Sequence, residues 1–240
     1  MLSFILILTL IISVSPATGI DFSDIFPAAY AEEAALTHGD FEYTVSNGVV
    51  EITDWLGEDT TVYVPYELDG LYVTSIGNGC FNPKYTDKKN SENKKNIQKI
   101  VIAEGIQKVR DSVFANCESL EEIVFPNSIT YLGSRLFARC PMLKELTLPG
   151  SDFSYQSSFL FSDSSIEKIN FSEGMTKIPA SLLNNSNVKT VTIPSSVKTI
   201  DAKAFYYTVE TVVVDGALPL AFYPNCVESL QFMLRKNSRS

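Results

Sequence analysis

A fixed period governs this chain. The stretch LEEIVFPNSITYLGSRLFARC at 120–140 follows IQKIVIAEGIQKVRDSVFANC by 23 residues and precedes the opening LKELTLP of another copy by 23. Further copies begin at Ile166 (IEKINFSEGMTKIPASLLNNS) and Val188 (VKTVTIPSSVKTIDAKAFYYT). One apolar anchor per copy runs Ile100, Ile123, Leu146, Ile169, Val191, Val212, at steps of 23, 23, 23, 22 and 21. Fourteen residues beyond the first five anchors stand Phe114, Phe137, Leu160, Leu183 and Phe205. A unit this short cannot bury its own apolar side and must stack on copies of itself. The expectation is a β-rich, right-handed solenoid of about six coils, with parallel sheet, short helical turns and one continuous core.

The unit can be parsed. In LEEIVFP, Leu120, Ile123 and Phe125 point inward while Glu122 and Val124 point outward, which is strand alternation. Pro126, Pro149 and Pro194 end the strands because proline has no N–H to donate. An apolar pair three apart follows (Ile129 and Leu132, Val197 and Ile200), then a short turn that returns Phe137 or Phe205 to the core. The copy PGSDFSYQSSFLFSDSS puts Asp152 and Tyr155 where Ile129 and Leu132 stand. That coil is expected to be irregular, with Phe153, Phe159 or Phe161 supplying the missing apolar contacts.

Four regions follow. Residues 2–14, LSFILILTLIISV, carry no charge. As a helix they reach ~20 Å, short of the ~30 Å of a bilayer core. Residues 1–31 therefore read as a secretory signal peptide with Ala29-Tyr30-Ala31 before the cut, Ala17 and Gly19 being rival cut points. A buried or membrane-anchoring helix is the alternative. Residues 32–59 hold a polar linker and a cap hairpin, FEYTVSNGVVEIT at 41–53, whose Asn47-Gly48 suits a type I′ turn. The only tryptophan, Trp55, is expected to pack in that cap. Residues 60–215 are the solenoid, and 216–240 a C-terminal cap and tail, with 221–234 expected to fold across the last coil.

Between Phe81 and Ile100 lie ten more residues than the repeat needs, in NPKYTDKKNSENKKN. Lys84, Lys88, Lys89, Lys94 and Lys95 face only Asp87 and Glu92 there, on a chain of net charge −9. The segment is either a contact loop for an anionic surface or glycan, or a solvated insertion at a coil edge. The overall negative charge argues against a nucleic-acid partner.

The pattern IVFPNSITYLGSRLFARCPML, with VTIPSSVKTIDAKAFYYT, resembles the BspA-like class of leucine-rich repeats, and YTVSNGVVEITDW with VYVPYELDGLYVTSIGNGCF resembles their N-terminal module. The resemblance covers about 41–215. It implies a secreted or surface-attached bacterial protein, commonly an adhesin that binds host or matrix proteins, with no catalytic residues. No sortase-type signal or hydrophobic tail follows Arg235.

Catalytic or metal chemistry finds little material. Cys117 and Cys140 stand one period apart, close enough to approach but projecting in parallel, a poor geometry for a bridge. Cys80 and Cys226 have no evident partners, no C-x-x-C occurs, and His38 is the only histidine. A metal site, a cofactor and a Ser-His-Asp arrangement are therefore not expected.

One surface is ordered by the repeat. Before each anchor stand Gln98, Glu121, Lys144, Glu167, Lys189 and Glu210, alternating in sign from Glu121 on. The outward column Val101, Val124, Thr147, Asn170, Thr192, Val213 lies beside it. A candidate ligand face follows: Lys99, Val101, Glu122, Val124, Lys144, Thr147, Lys168, Asn170 and Thr192. The expected role is a non-catalytic extracellular module binding a host or matrix protein, or a glycan. The alternatives are a spacer with no ligand and, more remotely, a hydrolase.

Overall fold

The structure, a computed structural model, describes residues 35–85, 89–155, 159–205, 209–215, 221–222 and 231–235. The expected signal peptide lies outside them, and no helix among the described residues is long and apolar enough to cross a membrane. Residues 35–240 form one compact unit, a β-solenoid of about seven turns with little helix.

Each turn contributes a longer and a shorter strand. The longer ones are β4 (Thr61–Val64), β7 (Lys99–Ile102), β9 (Glu122–Val124), β11 (Glu145–Leu148), β13 (Lys168–Phe171), β15 (Thr190–Ile193), β17 (Thr211–Asp215) and β19 (Gln231–Arg235). They pair in parallel as β4-β7-β9 and β11-β13-β15-β17-β19. The anchors meet in register, Ile100 on Ile123 and Leu146 on Ile169 on Val191 on Val212. The shorter strands, of two residues each, follow β6 (Leu71–Ile76, itself six residues long) in one series: β8 (Lys108–Val109), β10 (Tyr131–Leu132), β12 (Ser154–Tyr155), β14 (Lys177–Ile178), β16 (Thr199–Ile200) and β18 (Ala221–Phe222). They form a second parallel column, interrupted between β12 and β14. β18 and β19 add rungs beyond residue 215. The described part of the expected C-terminal cap thus continues both ladders, and the rest lies outside the described residues.

The cap is sheet as well. β2 (Phe41–Ser46) and β3 (Val49–Trp55) form the hairpin, with φ of 51° at Asn47 and 78° at Gly48, as a type I′ turn requires. β3 then pairs in parallel with β6, which makes the hairpin the first rung of the short-strand column. Part of the expected linker is a strand instead. β1 (Leu36–His38) pairs antiparallel with β2, and β5 (Glu67–Leu68) pairs with β6. His38 Nδ1 lies 2.7 Å from Asp69, which also accepts the Tyr43 hydroxyl. These bonds tie the edge strand to the β5–β6 turn.

Aromatic rings stack along the interior. Phe81, Phe114, Phe137 and Phe161 follow one another at 6.0, 6.0 and 5.6 Å, and Trp55, buried in the cap, meets Phe81 at 6.3 Å. Phe125 leans edge-on against Phe114 and Phe137 and is only partly buried. In the irregular coil, Phe161 takes the stacked place expected of Leu160, because one extra residue separates Tyr155 from the stack; Leu160 is buried beside it. Phe153 is buried and Phe159 exposed there.

Polar side chains join successive coils where backbone alone does not. Ser128 Oγ accepts the Gly105 N–H at 2.9 Å and donates to the Ile106 carbonyl at 2.8 Å. Ser196 repeats both bonds with Gly174 and Met175 at 3.0 and 2.8 Å. Gly105 and Gly174 have φ of 100° and 103°, a region closed to residues with a Cβ. The serine of each P-x-S is therefore a staple to the coil before it. At the β12–β14 interruption, Asp152 substitutes for a strand, accepting the N–H groups of Thr176 and Lys177 at 2.8 and 3.0 Å and the Thr176 hydroxyl at 2.5 Å. Burial pushes the Asp152 pKa up, but these bonds and the Lys177 charge outweigh it and hold the carboxyl below its usual range.

Phe137→Ala leaves a cavity between two rings and is expected to cost about 3–5 kcal/mol. Glu121→Ala, on an exposed position, is expected to cost under about 1 kcal/mol. Urea unfolding of both variants checks the assignment, and similar losses would refute it.

A lowered folded-state pKa stabilises above the unfolded carboxyl value of about 4 and is lost as pH falls through the folded value. The stability gap between wild type and Asp152→Ala is therefore expected at pH 6 and to shrink by pH 2.5, as read by urea midpoints.

Candidate binding face

The short-strand column has an inward and an outward side. Val109 and Leu132 are buried, whereas Lys108 and Ser154 face solvent and Tyr131 is half-buried. The apolar pair three apart accounts for the inward side alone. The signal for the outward side is the two residues between: Gln107-Lys108 and Thr130-Tyr131. Of these, Lys108, Thr130 and Tyr131 line a cleft of about 530 Å³ together with Asn78, Arg110, Asp111 and Ser154. Asn78 Oδ1 accepts the Asp111 N–H at 3.0 Å and Asp111 Oδ1 accepts the Ser134 N–H at 2.8 Å, so the rear wall is fixed to backbone. Arg110 Nε donates to Glu51 at 2.5 Å, and the same carboxylate oxygen accepts the Ser75 hydroxyl at 2.8 Å. Burial and the nearby Asp111 charge push the Tyr131 phenol up, against the opposing Arg110 charge.

A second depression of about 340 Å³ adjoins the cleft, lined by Val49, Tyr66, Tyr72, Thr74, Glu104 and Gln107. Tyr66 is 57% and Tyr72 67% exposed. The two depressions share a ladder: the Gln107 N–H donates to the Thr74 carbonyl at 2.9 Å, and the Thr130 N–H to the Gln107 carbonyl at 2.8 Å.

The face proposed from sequence lies on the longer strands. Lys99 sits opposite Glu122 with a 2.8 Å ion pair, and Val101 opposite Val124. Lys168 pairs with Glu145 at 2.7 Å, and Asn170 donates to the same carboxylate at 2.6 Å while lying between Thr147 and Thr192. That pairing holds the Glu145 carboxyl below its ordinary range, the Lys168 and Asn170 hydrogen bonds outweighing burial. Of the expected alternating ladder, Lys144 and Glu167 come to 4.0 Å. The closer pairs form one residue further on, where strand register sets the charges directly opposite. The ladder stops between β9 and β11, so the nine residues form two patches whose charges are engaged by neighbouring side chains, Lys99 with Glu122, Lys144 with Glu167 and Lys168 with Glu145.

The family profile described as BspA type leucine rich repeat region matches residues 74–211 in six copies. The chain belongs to the BspA-type leucine-rich-repeat family. A leucine-rich-repeat protein from T. pallidum shares 15% identity with it, over 75% of this chain and 85% of that one, at a TM-score of 0.53. A leucine-rich cell surface protein from Faecalibacterium prausnitzii shares 16% over 75% and 54%, at 0.49. A leucine-rich repeat protein from Bacteroides capillosus shares 21% over 58% and 99%, at 0.48. No curated protein sequence matches.

Within this BspA-type frame, the buried column Cys117, Cys140, Ser164, Ser186 occupies one place in successive coils. Cys117 and Cys140 are free thiols that donate to the carbonyls of Phe81 and Phe114 at 3.2 and 3.0 Å. Burial pushes Cys117 well up and Cys140 to about 12, so neither is a thiolate at neutral pH. Among the described residues no three His, Cys, Asp or Glu side chains cluster as metal ligands.

The lysine-rich insertion corrects both readings of the sequence. It folds back on the cap through a short helix, α1 (Ser91–Lys95). Lys94 is fully buried and forms an ion pair with Asp54, itself 2% exposed. The Asp54 carboxylate also accepts the N–H groups of Trp55 at 2.9 Å and Lys89 at 3.0 Å. Lys89 reaches Glu42, Lys95 reaches Glu92 at 2.8 Å, and Asn93 donates to the Gly57 carbonyl at 3.2 Å. Lys94 is thus removed from any contact surface, because its charge is spent inside the protein. Lys84 is exposed, and Lys88 lies outside the described residues. Lys94→Ala strands a buried carboxylate and is expected to cost about 3–5 kcal/mol, while Lys94→Met with Asp54→Leu recovers most of it. Thermal and urea unfolding of the single and double variants tests this.

Proposed function

We propose that this protein is a non-catalytic, adhesin-like binding module that works outside the cell and holds its ligand on the outward side of the short-strand sheet. The cleft bounded by Lys108, Arg110, Tyr131 and Ser154 carries the reading. A concave site with a few convergent polar groups on a rigid wall is what a binding pocket needs. Ser128 and Lys99 act as a coil-to-coil staple and a cross-coil pair, and within the cleft Thr130 and Ser154 likewise donate to the Gln107 and Thr130 carbonyls, at 3.3 and 3.1 Å, which fixes their hydroxyls on the wall. Supporting the absence of catalysis, the single histidine is engaged with Asp69 on the cap and the buried cysteines are held as thiols. The uncharged stretch at 2–14 supports export.

The test uses residues 32–240, which contain the whole compact unit. Immobilised matrix proteins and glycans are probed with wild type and with Lys108→Ala/Tyr131→Ala. Saturable capture that the double variant loses at unchanged Tm is the expected result. Absence of capture by every probe would leave a spacer role in its place.

A further inference from the structure

We infer that the cleft and the tyrosine-lined depression form one groove that takes a neutral oligosaccharide, with sugar rings lying on Tyr66 and Tyr72 and sugar hydroxyls meeting the Asn78, Lys108 and Asp111 side chains. This rests on the proposed binding role and specifies the chemistry of its ligand. Three features of the groove lead to it.

The first is the placing of the aromatic rings. Tyr66 and Tyr72 keep more than half of their surface in water. A phenol ring presents a negative face, which attracts the polarised C–H groups on the apolar side of a pyranose. The Val73 N–H bonds the Tyr66 carbonyl at 2.9 Å, and β5 pairs Glu67 with Tyr72, so short backbone links hold both rings at the groove wall.

The second is the charge balance of the lining. Among the lining residues Lys108 and Arg110 stand against Asp111 and Glu104, and Arg110 is already bonded to Glu51 at 2.5 Å. An anionic polymer would need uncompensated cations, and a cationic one uncompensated carboxylates. Balanced donors and acceptors, with the Tyr131 hydroxyl and the accepting oxygens of Thr130 and Ser154, whose own protons go to the Gln107 and Thr130 carbonyls, suit a ligand whose hydroxyls both donate and accept.

The third is dimension. Thr74, Gln107 and Thr130 occupy successive rungs across the boundary of the two depressions. Rungs about 4.8 Å apart match the advance of one sugar unit along a chain. A folded protein partner prefers a broader surface with an apolar centre, whereas this surface is a narrow concavity.

Binding of residues 32–240 to an array of neutral and acidic oligosaccharides, followed by calorimetry with the strongest neutral hexasaccharide on it, decides the matter. Tyr66→Ala and Tyr72→Ala are each expected to weaken binding at least tenfold. Tyr72→Phe should bind as wild type, and 0.5 M NaCl should change the affinity less than twofold. Both tyrosines are exposed, so unchanged Tm separates lost binding from lost fold. If no neutral oligosaccharide binds, or if the alanine variants bind unchanged, the inference fails. It also fails if binding is confined to acidic glycans or acidic peptides and is abolished by salt. Should a matrix protein still be captured through Lys108 and Tyr131 in those cases, the binding role stands and only its ligand chemistry is overturned.

Discussion

Registered contact between successive coils is the constraint on which everything else here depends. No coil satisfies its own backbone: the N–H groups of one coil find their carbonyls in a neighbour, as Tyr131 with Gln107 and Thr190 with Glu167. The ring stack from Phe81 to Phe161 keeps the same register inside that the ladders keep outside. Because both depend on the same step, a change of one residue must be absorbed within a coil and not passed on. The irregular coil does this, with an extra residue before Phe161 and Asp152 standing in for a lost rung.

That division explains what could be read from the sequence. Anchors, prolines, the Asn47-Gly48 turn and the inward place of Trp55 follow from local geometry repeated many times, and they are legible as pattern. Phe161 in place of Leu160 was not, because counting from the anchor assumes no residue has been inserted. The insertion was misread for another reason. Its lysines look like a solvated charge run until Asp54, 40 residues earlier in the chain, is known to lie against Lys94. A buried ion pair between distant residues has no local signature.

The candidate face followed the same rule. The longer strands attracted attention because their columns recur in charge and polarity, yet register sets those charges against one another. The cleft arises from residues that differ in every coil, Lys108 then Thr130-Tyr131 then Ser154, and so presents no period to detect. In a repeat protein the scaffold is what repeats, and ligand-specific chemistry lies in what does not.

The link between Asp54 and Lys94 bears on how such proteins can be recombined. Away from the irregular coil, repeats of the array are nearly interchangeable parts, since they meet their neighbours through the same kinds of staple and rung. The first hairpin is different, because its underside is completed by a segment inserted two coils' length downstream. A chimera that takes the hairpin from this protein and its coils from a relative would carry a buried carboxyl group without its lysine partner. The unit of exchange at this end is therefore hairpin and insertion together, and a workable graft point falls after the insertion, not at the apparent start of the repeats.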